Sequence, residues 1–208
     1  AVGESSLTSN TEGDRNIAIG QNAMAVNTTG SENVAIGRNA LDANTTASSN
    51  TAVGDSALSA NTTGSQSVAV GSSALESNTT GQNTAVGFYA GRLNTTGDSN
   101  TAIGRYALAS NTTGNYNTAV GTLAKQSDGG NNIVAVGYQS QRYATGSSNV
   151  SMGYQALRVS SGDGNVALGH LALTANSTGT INTAVGANAL DSNTTGSYST
   201  AVGKDALQ

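Results

Sequence analysis

The sequence predicts an all-β fold, a β-solenoid of about twelve coils, and three observations carry that expectation. First, a glycine preceded by two small apolar residues recurs at Gly3, Gly20, Gly37, Gly54, Gly71, Gly87, Gly104, Gly121, Gly137, Gly153, Gly169, Gly186 and Gly203, every 16 or 17 residues. Second, that period is too short for a helix pair, which needs about 30 residues or more. Third, the chain has no Pro, Cys or Trp, one Phe (Phe88), one His (His170), 27 Gly and only 10% charged residues. So few large side chains cannot fill a globular core. The regular return of Val, Ile and Leu argues against disorder as well.

Each coil is read from its anchoring glycine. One residue before it stands Val or Ile, with Met152 and Leu168 as exceptions, and two before stands Ala except at Ser151. Three before stand residues such as Ile17, Val34, Thr51 and Thr84. This is strand composition. Three and four residues after the glycine come Ala and Leu, as in Ala57-Leu58, Ala107-Leu108 and Ala189-Leu190. We read this as a second short strand, giving two strands per coil. Stacked coils would lie about 4.8 Å apart and make a rod roughly 60 Å long. Identical side chains would then form ladders, with Asn amides bonding along the stack.

The corner between coils is Asn-Thr-Thr-Gly. It begins at Asn27, Asn61, Asn78, Asn94, Asn111 and Asn193, with variants at Asn44 and Asn176. Each copy also satisfies the N-glycosylation pattern, which uses only the Asn and the second Thr. Turn chemistry uses all four: Asn tolerates left-handed backbone, Gly supplies positive φ and Thr hydroxyls bond nearby backbone. The motif is therefore expected to be a turn. It is missing from coils 122–137, 138–153 and 154–169, which have 16 residues each.

The strand before each glycine is apolar on both faces, because Ala lies between two larger residues. A coil has one interior, so one face is expected inside it and the other along an oligomer axis. At this point the residues match a family. Asn33-Val34-Ala35-Ile36-Gly37, Asn100-Thr101-Ala102-Ile103-Gly104 and Asn165-Val166-Ala167-Leu168-Gly169 resemble the Asn-Ser-Val-Ala-Ile-Gly head repeat of YadA-like trimeric autotransporter adhesins. The resemblance covers essentially the whole chain. It implies a left-handed parallel β-roll, three chains forming an intertwined or side-by-side homotrimer, and display at the cell surface or outer membrane. It also implies attachment to a surface glycan or extracellular protein. The coil here is longer than that family's, the extra length falling in the Asn-Thr-Thr-Gly turn. Similar arrays look like those of phage and bacterial fibres, which makes a virion tail fibre the alternative setting.

Residues 1–208 read as one repeat domain that begins and ends in mid-pattern, so a longer fibre or adhesin is expected around it. No apolar run reaches membrane-span length, and any membrane anchoring is expected from parts outside this sequence. The net charge of −4 gives no bias toward nucleic acid. No enzyme is expected: one His and no Cys leave no nucleophile-base pair except around His170, read as a rim residue. No cofactor or metal is expected either, and Gly162-Asp163-Gly164-Asn165 is read as a turn.

The irregular coils hold the candidate site. Six of seven Tyr and five of eight basic residues lie between Tyr89 and Arg158. Candidate ligand-binding residues are Phe88, Tyr89, Arg92, Arg105, Tyr106, Tyr138, Gln139, Arg142, Tyr143, Tyr154 and Arg158. Aromatic faces beside Arg and Gln can stack on sugar rings and bond their hydroxyls or carboxylates. The same residue types also serve as outer ladders or chain–chain contacts, and all three readings stay open. Two further functions compete with attachment: a structural spacer in a fibre, and an ice-binding face, against which Val34, Val68, Val134, Val150 and Val166 interrupt any Thr array.

Overall fold

The computed structural model describes residues 1–208, and they form one continuous β-solenoid. Twelve strands of three residues each precede the anchoring glycines: β1 (Ile17–Ile19), β2 (Val34–Ile36), β3 (Thr51–Val53), β4 (Val68–Val70), β5 (Thr84–Val86), β6 (Thr101–Ile103), β7 (Thr118–Val120), β8 (Val134–Val136), β9 (Val150–Met152), β10 (Val166–Leu168), β11 (Thr183–Val185) and β12 (Thr200–Val202). They pair in parallel, each with its sequence neighbours and with no crossover, which defines about eleven turns. Register is strict: Ala18 faces Ala35 and Ala52 faces Ala69. Ser151, the exception in the Ala column, still falls between Ala135 and Ala167.

One expectation is corrected. The Ala-Leu segment after each glycine is a turn and not a second strand, so each coil has one strand. Its backbone carries positive φ at every second residue, 58° at Asn22 and 51° at Met24, then 55° at Asn39 and 51° at Leu41. Left-handed residues cannot extend into a strand, yet they keep the ladder by bonding alternately backward and forward. Asn22 N–H donates to Glu4 O (2.9 Å) and Met24 N–H to Ala40 O (3.0 Å). A non-glycine residue in this conformation costs roughly 1–2 kcal/mol. Complete burial of Met24, Leu41 and Leu58 offsets that by a similar amount.

The anchoring glycine is fixed by two constraints at once. Gly71 has φ 132°, and a Cβ there would lie 2.6 Å from the Gly87 carbonyl oxygen of the next coil. No side chain fits between coils at that spacing.

The core is thin. Strand Ala, turn Ala and turn Leu form one apolar cluster from Ala18 to Ala135 and a second from Ala156 to Ala201. Between the clusters the interior is polar. Gln141 donates to Val134 O (3.0 Å) and Ser151 Oγ (2.9 Å), and Ser140 bonds Ser151.

Two columns of buried Asn line the rest of the interior. Before the strands, Asn33 Oδ1 accepts the Asn50 N–H (2.9 Å), and Asn33 Nδ2 donates to Ala47 O (2.9 Å). In the turns, Asn44 Nδ2 donates to Asn27 Oδ1 (2.7 Å) and to Ala47 O (3.1 Å). The carbonyl of the fourth turn residue thus takes a bond from each column, as Gly97 O does from Asn94 (2.9 Å) and Asn83 (2.8 Å).

These bonds decide the question of the Asn-Thr-Thr-Gly motif's geometry. Asn27, Asn44, Asn61, Asn78 and Asn176 are fully buried, so a glycan on any of them is incompatible with the folded coil. The motif is a turn, but not for all the expected reasons. Its Asn is not left-handed, and its Gly has positive φ only at Gly81, in the one 16-residue coil that keeps the motif. The glycine sits where a Cβ would crowd the turn's own amide, 2.6 Å from Asn61 Oδ1 at Gly64. Ala47, buried at the equivalent position, shows that a methyl can be accommodated. The first Thr hydroxyl donates to the next coil's carbonyl, as from Thr28 to Thr45 O (3.0 Å).

Lys125 stands in the Leu column and is fully buried. Asp128 replaces the turn Asn there and points out to Thr112, which leaves Asn111 Oδ1 of the preceding coil without a partner, and the ammonium bonds only groups of its own turn. Lys125 Nζ donates to Gly129 O (2.7 Å) and Ser127 O (3.1 Å). Burial pushes its pKa down to about 8 against the pull of Asp128.

Two outcomes follow from this interior. Asn33→Ala strands the Asn50 N–H and should cost about 2–4 kcal/mol of unfolding free energy in urea. Thr29→Ala, on the exposed side of the same type of turn, should stay within about 0.5 kcal/mol. Lys125 is protonated in both states below about pH 8, where its burial penalty is fully present. Between about 8 and 10.5 the folded state sheds its proton first, so stability rises with pH by on the order of 3 kcal/mol. Lys125→Met should therefore stabilise the protein at pH 7 by about 1–3 kcal/mol and flatten that rise in unfolding curves at pH 7, 9 and 10.5.

Candidate functional site

The turn that follows each anchoring glycine also builds the aromatic edge. Because its backbone repeats at every coil, side chains at the first, second and fifth positions after the glycine form three adjacent columns. The first runs Phe88, Arg105, Thr122, Tyr138, Tyr154, His170, and the second includes Tyr89, Tyr106, Gln139 and Gln155. The fifth runs Arg92, Ala109, Gln126, Arg142, Arg158.

The sequence-derived candidates fall on this edge in two groups. In the first, Phe88 stacks on Tyr89 (centroids 3.9 Å, 25°), and Tyr106 meets both rings edge-on at 5.7 and 5.3 Å. Arg92 lies over the Tyr89 ring and Arg105 over Tyr106, each at 4.7 Å. In the second group, Tyr138 stacks on Tyr154 (5.5 Å, 19°) and Tyr154 on His170 (5.2 Å, 11°). Gln155 Nε2 donates to Gln139 Oε1 (3.0 Å), and Gln139 Nε2 to Tyr138 Oη (3.0 Å). Arg142 lies over Tyr143 at 4.8 Å. Arg158 sits one coil beyond Arg142, and its Nε has no hydrogen-bond partner. Thr122 and Leu123 separate the two groups.

His170 is therefore the last ring of a three-ring stack and more than the isolated rim residue its sequence position suggests. The stacking carries a second consequence. Each of these rings turns at least one face or edge toward a neighbouring ring or guanidinium group. What they offer outward is edges, hydroxyls and amides.

A shallow groove opens where the columns are interrupted. It holds about 280 Å³ and is lined by Tyr89, Arg92, Leu93, Tyr106, Ala109, Ser110 and Gln126. Ala109 is the one short side chain in a run of long ones, so it leaves a notch between Arg92 and Gln126. Gln126 Oε1 accepts from Arg142 Nε (2.9 Å), which leaves its Nε2 free to donate. Leu93, Ala109, Ser110 and Gln126 were not among the sequence candidates. The signal for them is the break in the fifth column, visible only once the coils are aligned. No group of three or more His, Cys, Asp or Glu is placed to hold a metal ion.

No protein-family model, curated protein or solved structure matches this chain. Its chemistry has to be argued from the geometry above.

The ring stack itself should be structural in part. Tyr154→Ala removes two ring contacts and is expected to lower unfolding free energy by about 1–3 kcal/mol, with loss of near-ultraviolet circular dichroism. Tyr198→Ala, 77% exposed and without a ring partner, should leave both within error.

Proposed function

We propose that this chain is a non-enzymatic β-solenoid module of a surface adhesin or fibre, acting as a homotrimer that attaches to a glycan or extracellular protein. The observation that carries this reading is an uncovered apolar face running the full length of the sheet. Strand Ala points inward, whereas the residues on either side of it point out. Ile17, Ile19, Ile36, Val86, Ile103 and Met152 are 37–53% exposed. The column after the Ala is apolar in every strand, the column before it mixes Val and Ile with Thr, and with twelve rungs about 4.8 Å apart the face covers on the order of 400 Å². A contiguous apolar surface of that size marks an interaction site. The same face on further copies of the chain is its best complement, because register and spacing then coincide.

Assembly would set three aromatic and basic edges side by side on one rod. Weak ligands engaged by two or three edges at once gain affinity through effective concentration alone. The resemblance to YadA-like heads supports this setting and a location at the cell surface, with a virion tail fibre as the alternative. A plain spacer accounts for the regular coils but offers no reason for the cationic, Tyr-rich segment. Ice binding gains little, since outward Thr occurs in at most three consecutive strands, at Thr84, Thr101 and Thr118.

In solution the chain should run as a trimer by light scattering, three times its 20.5 kDa mass. Ile19→Lys with Ile36→Lys and Ile103→Lys should shift it to monomer. A monodisperse wild-type monomer at micromolar concentration would remove the assembly. On a panel of immobilised glycans and matrix proteins, Tyr138→Ala/Tyr154→Ala/Arg158→Ala should weaken whatever binding the wild type shows. Unchanged binding would move the site off this edge.

A further inference from the structure

We infer that the notch at Ala109 and the column that continues from it bind a linear acidic polysaccharide, with a carboxylate-bearing sugar of the uronate class seated in the notch. This deepens the attachment reading above and rests on it.

Four observations support the assignment. The groove, at about 280 Å³, lies near the lower end of small-molecule sites, which begin at roughly 300 Å³. That suits one sugar ring and excludes a folded partner's side-chain cluster. Its floor is small, Ala109 and Ser110, while Tyr89 and Tyr106 form an amphipathic wall. Its two ends are donors: the Arg92 guanidinium at one, and at the other the Gln126 amide nitrogen, freed because Arg142 holds its oxygen. Arg92 is already near Glu76 (Nε to carboxylate, 3.8 Å), too long for a strong pair, so its charge is only partly compensated.

Fourth, the charge is arranged along an axis. The segment from Phe88 to Arg158 holds five of the eight basic residues and only two of the twelve acidic ones, Asp98 and Asp128. Lys125 is buried, which leaves Arg92, Arg105, Arg142 and Arg158 toward solvent. Arg142 and Arg158 lie one coil apart in the fifth column, about 4.8 Å, and Arg92 lies three coils before Arg142 with Ala109 and Gln126 between, a sparse row of charge that fits a moderately charged chain laid along the rod. Nucleic acid fits less well. A duplex carries one charge per roughly 1.7 Å, and the coils on either side of this segment are acidic, in a chain whose net charge is −4. Neutral sugars fit less well too, because both Tyr rings of the groove wall already carry a guanidinium over one face.

Calorimetric titration of the assembled wild-type chain tests this. The probes are polygalacturonate and alginate, their carboxyl-reduced neutral forms, polyglutamate, duplex DNA and a set of matrix proteins. The expected result is binding of the two uronate polymers and at least tenfold weaker binding of every other probe. Arg92→Gln and Ala109→Leu should each weaken uronate binding by about tenfold, with the unfolding midpoint unchanged. Gln126→Ala serves if Ala109→Leu folds poorly. Equal binding of the neutral forms, equal binding of DNA or polyglutamate, or indifference to all three substitutions would overturn the acidic-polysaccharide site. Binding confined to neutral glycans or matrix proteins overturns this inference while leaving the attachment reading intact. Binding of nothing at all removes both.

Discussion

The structure depends on one constraint: amides buried in its interior need partners from the neighbouring coils, to which the turn amides add one carbonyl of their own turn. Asn33 is fully buried, and the Asn50 N–H and Ala47 O that satisfy its amide both belong to the next coil. Each Asn column therefore locks the stacking distance, the register and the shape of the corner together. A slip of one residue would leave the Asn side chains of a coil buried and unpaired, at about 1–3 kcal/mol for each lost group. Where a coil shortens, the strain shows in this network first. Next to the 16-residue coil that ends at Gly87, Asn61 Oδ1 and Asn78 Nδ2 have no partner. Where the turn Asn is lost, at Asp128, Asn111 Oδ1 of the preceding coil lacks a partner too, and a buried ammonium bonds the carbonyls of its own turn.

Most of the architecture was legible because a solenoid writes its geometry once per period. The strands, the Asn ladders, the inward Ala and the outward Val, Ile and Thr all follow from column identity. The second strand was misread because Ala-Leu looks apolar enough to be one. A finer signal was present. The strand columns at one and three residues before the glycine are mostly β-branched, whereas the columns two and four after it contain no Val, Ile or Thr. Those positions have φ of 43–61°, where a β-branched side chain is most strained, and in the third left-handed column, two residues before the strands, only Ile181 is β-branched. The glycine of the turn motif was misassigned for a related reason: close approach of a neighbouring amide, and not left-handed backbone, selects it.

The site was half legible. Enrichment of Tyr and Arg located the edge, but enrichment cannot tell which faces remain free. Stacking at a fixed rung distance makes adjacent aromatic rings satisfy one another, as Tyr138, Tyr154 and His170 do. In a structure that tends to complete its own ladders, chemistry becomes available where a ladder is broken. Ala109 is such a break, and an alanine in an alanine-rich chain carries no signal by itself.

The division of the apolar core into two blocks has a mechanical consequence. Each coil touches only its neighbours, so cohesion along the rod is a sum of successive junctions. Apolar contact is continuous up to Ala135 and again from Ala156; between them the backbone ladder runs on unbroken, and the side-chain contacts inside the coil come from Gln141, Ser140 and Ser151. Hydrogen bonds of that kind are short-ranged and yield abruptly, whereas Leu and Ala layers give gradually. The junctions around Ser151 are therefore the ones with the least apolar cohesion along the rod.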